Sequence, residues 1–555
     1  MSETIFVAVA WPYANGPLHH GQLGGAYLPA DIFARYHRTK GNRVLMVSGS
    51  DAHGTPVTVR AENEGRTPAE VVKEYHTGFL ETWERMGISF DLFTSTVTKN
   101  HTAVSQEIFR GLLEADLLYI AEQTLHFDVE AKRFLPDRYV EGTCPHCDYD
   151  KARGDQCDNC GRQLNAVDLI DPRSKISGSA PELRTSEHHF LKLSALSGRL
   201  EEWLSQEKDH WRKHVLNFSR GMLHEGLHDR PITRDIDWGV PVPVEGFDDK
   251  RIYVWFEAVI GYLSAAKEWA QRSGEPDAWR DFCQNTDAKS YYFIVKDNVP
   301  FHTIVWPAML MGVGGLDLPY DVPANQYITM SGSKASTSQN WAVWVLDYLS
   351  RYDPDPLRYA LASQMPETSD SDFSWSEFLR RNNDELVGTW GNLVNRVLTF
   401  TVRNFDGKVP DPGPLDDESR RLLDATQSAL DRVDEALHGV HLRQGLQTAF
   451  GLAQETNRYL DSTAPWQTIK TDRQAAARSL YTALNVIAAL RTALYPYLPF
   501  TCTALHGYLG AQGTIEESGW RLLALEPGTI LGDPKPLFKK LEPTIVEEEE
   551  ARLGA

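Results

Sequence analysis

The chain has 555 residues, too many for one ordinary core, so two to four domains are expected, and its composition is that of a globular protein. Acidic residues outnumber basic ones 76 to 56, a formal charge of −20, which restricts any nucleic-acid contact to a local basic or aromatic patch. A membrane protein and a secreted disulfide scaffold are both disfavoured: no apolar run reaches the ~20 residues of a bilayer span, Met1–Val9 has Glu3 and no basic start, and four of the six cysteines share one short window, so a cytoplasmic location is expected.

In chain order, TIFVAVA (Thr4–Ala10) predicts a buried strand closed by the Pro12–Gly16 turn. Gly21–Arg38 predicts a helix with Leu23, Leu28, Ile32 and Phe33 on its apolar side, and Asn42–Pro56 a second strand running into a loop. TPAE (Thr67–Glu70) is a capping box with proline at the first helical position, continued by the stripe Val71, Tyr75, Phe79, Trp83. Strand and helix alternating in this order point to a doubly wound parallel sheet, an α/β fold that binds ligands at the carboxyl ends of its strands.

The pattern breaks between about Asp116 and Asp237, an insertion that holds the cysteines, and the alternating signal resumes at Arg251–Tyr262 and Ser290–Trp306. From Ser376 the chain reads as helical, with Phe378, Leu379, Leu386, Val387, Trp390, Val394 and Val397 repeating at three and four. Amphipathic runs over Ser419–Ala436, Leu442–Leu460 and Arg473–Leu494 complete a helix bundle, and Glu547–Glu550 reads as a solvated tail.

Three constellations carry chemistry. In WPYANGPLHHGQLGG (Trp11–Gly25) a strand turns at glycines into a helix, which offers free backbone N–H groups to an anion, and its histidines add donors that can follow charge on phosphate. CPHC (Cys144–Cys147) and CDNC (Cys157–Cys160), nine residues apart, suit a tetrahedral Zn²⁺ site held by Cys144, Cys147, Cys157 and Cys160; two redox-active disulfides are the rival. Asn392 and Arg396, four apart, share a helix face distinct from the Trp390–Val394–Val397 side, and Trp466 sits at a proline-bounded turn where it can stack on a base.

The PYANGPLHHG loop, GSDAHGTP (Gly49–Pro56), the cysteine insert and FHTIVWPAML together resemble the methionyl-tRNA synthetases, class I aminoacyl-tRNA synthetases, from about Ile5 to Trp466. The resemblance implies a Rossmann-like catalytic domain over 1–115 and 238–325, a zinc-knuckle insertion over 116–237, a KASTS loop and stem-contact linker over 326–375, a helical-bundle anticodon domain over 376–540 and an acidic tail over 541–555. It implies that Asp51 holds the amino group of L-methionine, with Trp11, Tyr13, Trp255, Ala258, Tyr262, His302 and Trp306 around the thioether, where sulfur–aromatic contacts are favourable. His19, His20, Gln22 and Arg234 would face the phosphates or adenylate, Gly21 would admit the base and Asp297 would bind the ribose. Asn392, Arg396 and Trp466 would read the CAU anticodon of tRNA(Met). ATP with Mg²⁺, one structural zinc and a monomeric state complete the expectation.

Three departures from the family pattern stand out. The histidine-x-glycine-histidine signature reads His19-His20-Gly21-Gln22, and the lysine-rich loop reads Lys334-Ala-Ser336-Thr337-Ser338, with threonine in place of the second lysine. Val295 replaces a glycine before Lys296–Asp297. A hydrogen bond to a charged group contributes about 1.5–3 kcal/mol, roughly one to two decades in rate, so these changes leave an active ligase as the expectation. The alternatives are a tRNA-binding paralogue with weakened or redirected activation, and a different nucleotidyl-transferring enzyme of similar fold.

Overall fold

Ile5 to Val9 is apolar without alternation, the mark of a strand covered on both faces. The computed structural model, which describes residues 2–136, 139–154, 157, 159–160, 162, 164–333 and 340–554, makes it β1 (Thr4–Val9), the middle strand of a five-stranded sheet. On one side of β1 lie β2 (Arg43–Ser50) and β3 (Leu92–Ser95). An insertion follows, built on the antiparallel pair β4 (Leu118–Asp128) and β5 (Glu182–Leu191). On the other side of β1 lie β6 (Lys289–Val295) and β7 (Ala324–Asn325), and every pairing in the sheet is parallel. The chain leaves β1 towards β2 and returns much later to pair β6 on the opposite edge. The crevice at the carboxyl ends of β1 and β6 is therefore a topological switch point, where such sheets bind ligands.

The helix after β1 runs from His20 to Thr39 with a π-helical turn at Leu23–Tyr27. Leu23, Leu28, Ile32 and Phe33 are all fully buried, as their spacing predicts. The Thr67–Glu70 capping box is present and opens the helix Pro68–Met86. Arg251–Tyr262 differs from expectation: only Arg251–Ile252 is extended, and Val254–Arg272 is a helix buried along most of its circumference. An apolar run covered on all sides carries no periodic signal to separate helix from strand.

In the second half, Asp417–His438, Leu442–Thr463 and Arg473–Leu494 pack together as the expected bundle, the first and third capped by Asp416 and Asp472. The acidic tail is not solvated throughout. Ile545–Glu550 is a short helix docked on the molecule, and Glu549 is only 3% exposed because Arg351 and Tyr352 hydrogen-bond its carboxylate. Among the described residues no helix is long and apolar enough to cross a membrane.

Candidate active site

The His19–Gln22 loop is a helix start. His19 is the N-cap: its Nδ1 accepts from the Gly21 N–H at 3.1 Å, and Gln22 Oε1 accepts from the His19 N–H at 3.1 Å. This is a capping box with histidine and glutamine in place of the usual hydroxyl and acid. Burial, then the neighbouring His20, lowers the His19 pKa to about 3, so its imidazole is neutral and carries its proton on Nε2. His20 points the other way. It is fully buried, its Nδ1 accepts from the Val343 N–H at 3.2 Å, and its backbone N–H donates to the Val343 carbonyl at 2.9 Å. The expectation that His20 contacts phosphate therefore fails: positions three apart share a helix face, so Gln22 accompanies His19 and His20 belongs to the core.

Beside this loop lies a cavity of about 180 Å³, lined by Trp11, Tyr13, Gln22, Asp51, Trp255, Ala258, Tyr262, Val295 and His302 together with Tyr27, Val259 and Asn298. Asp51 is 3% exposed and its Oδ1 has no hydrogen-bond partner. Burial, then the nearby Glu257 carboxylate, pushes the Asp51 pKa up to about 8, so a cationic ligand would ionise it on binding. Elsewhere in its wall the Asn298 carbonyl accepts from His302 Nδ1 at 2.8 Å, which leaves His302 Nε2 to accept from the Tyr262 hydroxyl at 2.7 Å. Burial lowers the His302 pKa to about 4, so this wall is uncharged at neutral pH and suits a thioether. Trp11 is clamped between Gly49 and Gly261, where an added Cβ would lie 2.4 and 2.8 Å from its ring.

Two expected residues fall elsewhere. Trp306 is buried behind the cavity and donates through Nε1 to the Tyr292 hydroxyl at 3.0 Å, so it supports the wall without lining it. Arg234 Nη1 donates to the carbonyls of Pro231 and Thr233, its guanidinium lies 3.9 Å over the Tyr253 ring, and it lines a second cavity of about 520 Å³ against the insertion. Trp255, stacked on Phe301 at 4.5 Å, borders both cavities. Asp297 is exposed at the carboxyl end of β6, where it accepts from the Tyr327 hydroxyl. Lys334, Ser336 and Thr337 lie outside the described residues. Val295 finds space because Gly25 has no side chain; a Cβ there would meet Val295 Cγ2 at 3.0 Å.

Sequence reasoning missed a buried relay behind Asp51. Glu257 takes His53 Nδ1 at 2.7 Å on one oxygen and His101 Nε2 at 2.9 Å on the other. The signal was a single acid within the otherwise apolar VWFEAVIGYL, which burial obliges to find partners.

The four thiols of Cys144, Cys147, Cys157 and Cys160 lie within 4.8 Å of one another, with Cys144–Cys160 at 3.9 Å and Cys147–Cys157 at 3.6 Å. All four are free, and their spacing matches the ~3.8 Å edge of a tetrahedron with ~2.3 Å metal–sulfur bonds. In the helical half, Asn392 and Arg396 are exposed, and the Arg396 guanidinium lies 4.7 Å over the Trp466 ring.

A parallel sheet divided by an insertion with an ion-sized thiol cluster, a ligand crevice at its switch strand and a helical bundle behind define a class I aminoacyl-tRNA synthetase. The family model "tRNA synthetases class I (M)" matches residues 5–398, and "Anticodon binding domain of methionyl tRNA ligase" matches residues 409–555, which carries the similarity beyond Trp466. A methionine–tRNA ligase of Dehalococcoides mccartyi is 58% identical over 554 residues, covering 100% of both chains. One of Thermomicrobium roseum is 50% identical over 582 aligned positions, again covering 100% of both. The crystal structure of Mycobacterium tuberculosis methionyl-tRNA synthetase bound by methionyl-adenylate shares the fold, with TM-score 0.80 at 24% identity over 97% of this chain and 100% of that one. The chain belongs to the methionyl-tRNA synthetases.

Proposed function

We infer that the protein activates L-methionine with ATP and esterifies tRNA(Met) with it, as a cytoplasmic monomer. The observation that carries this reading is the Asp51 carboxylate, buried with an unpartnered oxygen in a cavity that the neutral Tyr262–His302 pair also lines. Asp51 holds the substrate ammonium and the aromatic wall takes the thioether, which leaves the methionine carboxylate beside Gln22. A carboxylate oxygen attacks the α-phosphorus in line, the bond to the bridging oxygen breaks, and pyrophosphate leaves. His19 Nε2–H and the Gln22 amide are neutral donors for the charge developing on phosphate, so their contribution is placement and electrostatics. Asp297 takes the ribose hydroxyls, and Lys334, Ser336 and Thr337 meet the departing pyrophosphate. Mg²⁺ bound with ATP supplies charge neutralisation on the phosphates. Zn²⁺ on the four cysteines is structural, because the protein supplies all four ligands. The terminal ribose hydroxyl of tRNA then attacks the adenylate carbonyl carbon and AMP leaves.

Asn392, Arg396 and Trp466 form a local patch of amide, guanidinium and indole, the means by which an acidic protein can meet tRNA. A binding-only paralogue is not favoured, since full-length relatives are ligases and the activation cavity is formed. The test is methionine-dependent ATP–pyrophosphate exchange with tRNA charging alongside. Wild-type protein should do both, and Trp466→Ala should raise the KM for tRNA about tenfold or more while exchange is unchanged, since base stacking contributes about 1–3 kcal/mol. Tight tRNA binding without exchange would refute activation. Sedimentation at micromolar protein checks the monomer.

A further inference from the structure

The run Glu547–Glu550 has three exposed acids and one buried one, Glu549. Glu549 Oε1 accepts from Arg351 Nε at 2.7 Å and Oε2 from Arg351 Nη2 at 2.8 Å, a bidentate pair, and Oε1 also accepts from the Tyr352 hydroxyl at 2.9 Å. The same guanidinium grips Asp347 at 2.7 and 2.8 Å. A few residues beyond Glu549, the Gly554 N–H donates to the Asn340 carbonyl at 2.9 Å, and Asn340 Oδ1 accepts from the Trp344 indole at 2.6 Å. The C-terminal segment thus holds both ends of residues 340–352.

That segment is the partner of the catalytic loop. Its Val345 N–H donates to the Leu18 carbonyl at 2.9 Å, Val343 exchanges hydrogen bonds with His20, and Trp344 pairs antiparallel with His19, its ring 6.1 Å from the imidazole. Asn340 is also the residue from which the Lys334–Gln339 stretch departs in the sequence. We propose that Glu549 is a positioning residue for amino-acid activation: through Arg351 it fixes residues 340–352, and with them the register of the His19–Gln22 loop on which ATP is placed. A bidentate guanidinium–carboxylate pair determines direction as well as distance, which a lysine or a lone hydrogen bond would not. The Asp51 cavity includes no residue of 340–352 and only Gln22 of the braced loop, so methionine binding depends on the brace less than ATP placement does.

The proposal rests on the activation reading given above, and wild-type pyrophosphate exchange separates the two: its absence overturns that reading, its presence opens the test of Glu549. In the full-length protein Glu549→Ala should lower kcat for exchange by about 10- to 100-fold with a changed KM for ATP, since misplacement by about 1 Å costs up to ~100-fold. The KM for methionine should change less than the KM for ATP. Glu549→Gln, which keeps an acceptor for Tyr352, should fall between, and Glu548→Gln, exposed on the same helix, should match wild type. Should Glu549→Ala fail to fold, Glu549→Gln carries the measurement. A lowered melting temperature with wild-type kcat and KM for ATP at 25 °C would overturn the proposal, because a merely structural contact predicts that result.

Discussion

Gln22 stands where the class I signature has a second histidine, and its effect depends on what that position must supply. Its Oε1 is committed to the His19 N–H, so the amide N–H₂ is the half left for a ligand. His19, neutral through burial, likewise presents only an N–H. Two neutral donors three residues apart on one helix face would meet phosphate charge without any proton being moved, and glutamine would perform that task as a neutral imidazole does. Gln22→Glu separates the two roles of the side chain. The carboxylate keeps an acceptor for the His19 N–H and so preserves the helix start, but it replaces the donor by a negative charge facing phosphate. Pyrophosphate exchange should fall by about 100-fold or more, with unchanged circular dichroism, because a charged hydrogen bond of about 1.5–3 kcal/mol is lost and repulsion is added. Little change in exchange would show that the amide donor takes no part.

At the level of elements, the knuckle carried between β4 and β5 reaches the catalytic domain through Leu164–Val167. These residues line the larger cavity together with Trp255, Phe301 and Arg234. Four thiolates this close would repel one another unless a cation held them, so a zinc ion bound there would take part in the folding of this small sheet. Cys144→Ser, at a fully buried ligand, should reduce bound zinc from about one per chain to near zero, measured by atomic absorption, while the parallel sheet keeps its circular dichroism. Full zinc retention in that variant would overturn the four-cysteine assignment. The same elements show what the sequence reveals and what it conceals. The unbroken apolar run of β1, the Thr67–Glu70 box, the cysteine spacing and the three amphipathic helices are local patterns, and each reappears in the structure within a few residues. Val254–Arg272 was obscure because burial all round erases periodicity. Arg234, Trp306 and Glu549 were misplaced for a different reason: their positions are set by Tyr253, Tyr292 and Arg351, partners that no local window contains. His20 alone was legible and overlooked, since the three-residue spacing of His19 and Gln22 already excludes it from their face.

Across the whole molecule, one helix joins the two ends of the chemistry. Its first turn is the His19–Gln22 loop, and further along it carries Asp31, Arg35 and Tyr36. Tyr36 donates to Asp434 of the bundle at 2.9 Å, and Arg35 Nη1 donates to the Tyr495 hydroxyl at 3.0 Å. Arg358, fully buried, completes the junction: it pairs with Asp31 at 2.7 Å and donates to the carbonyls of Met86, Pro496 and Tyr497. Burial alone would raise the Asp31 pKa, but Arg35, Arg358 and hydrogen bonds from Ser89 hold it down to about 2. A carboxylate depressed in the folded state stabilises fully above its unfolded value near 4, and that contribution is lost as pH falls from about 4 towards 2. The junction should therefore be among the structures that acid opens. Arg358→Met tests its mechanical role at neutral pH. The methionine fills much of the volume but makes none of the hydrogen bonds, leaving Met86, Pro496 and Tyr497 carbonyls buried without this partner, a cost of about 3–5 kcal/mol by analogy with broken buried pairs. If the catalytic sheet and the bundle unfold as one cooperative unit because of this residue, calorimetry should show a single transition in the wild type and two in the variant. A single transition merely shifted to lower temperature would mean that the Tyr36–Asp434 and Arg35–Tyr495 contacts suffice, and that Arg358 contributes stability without coupling the two halves.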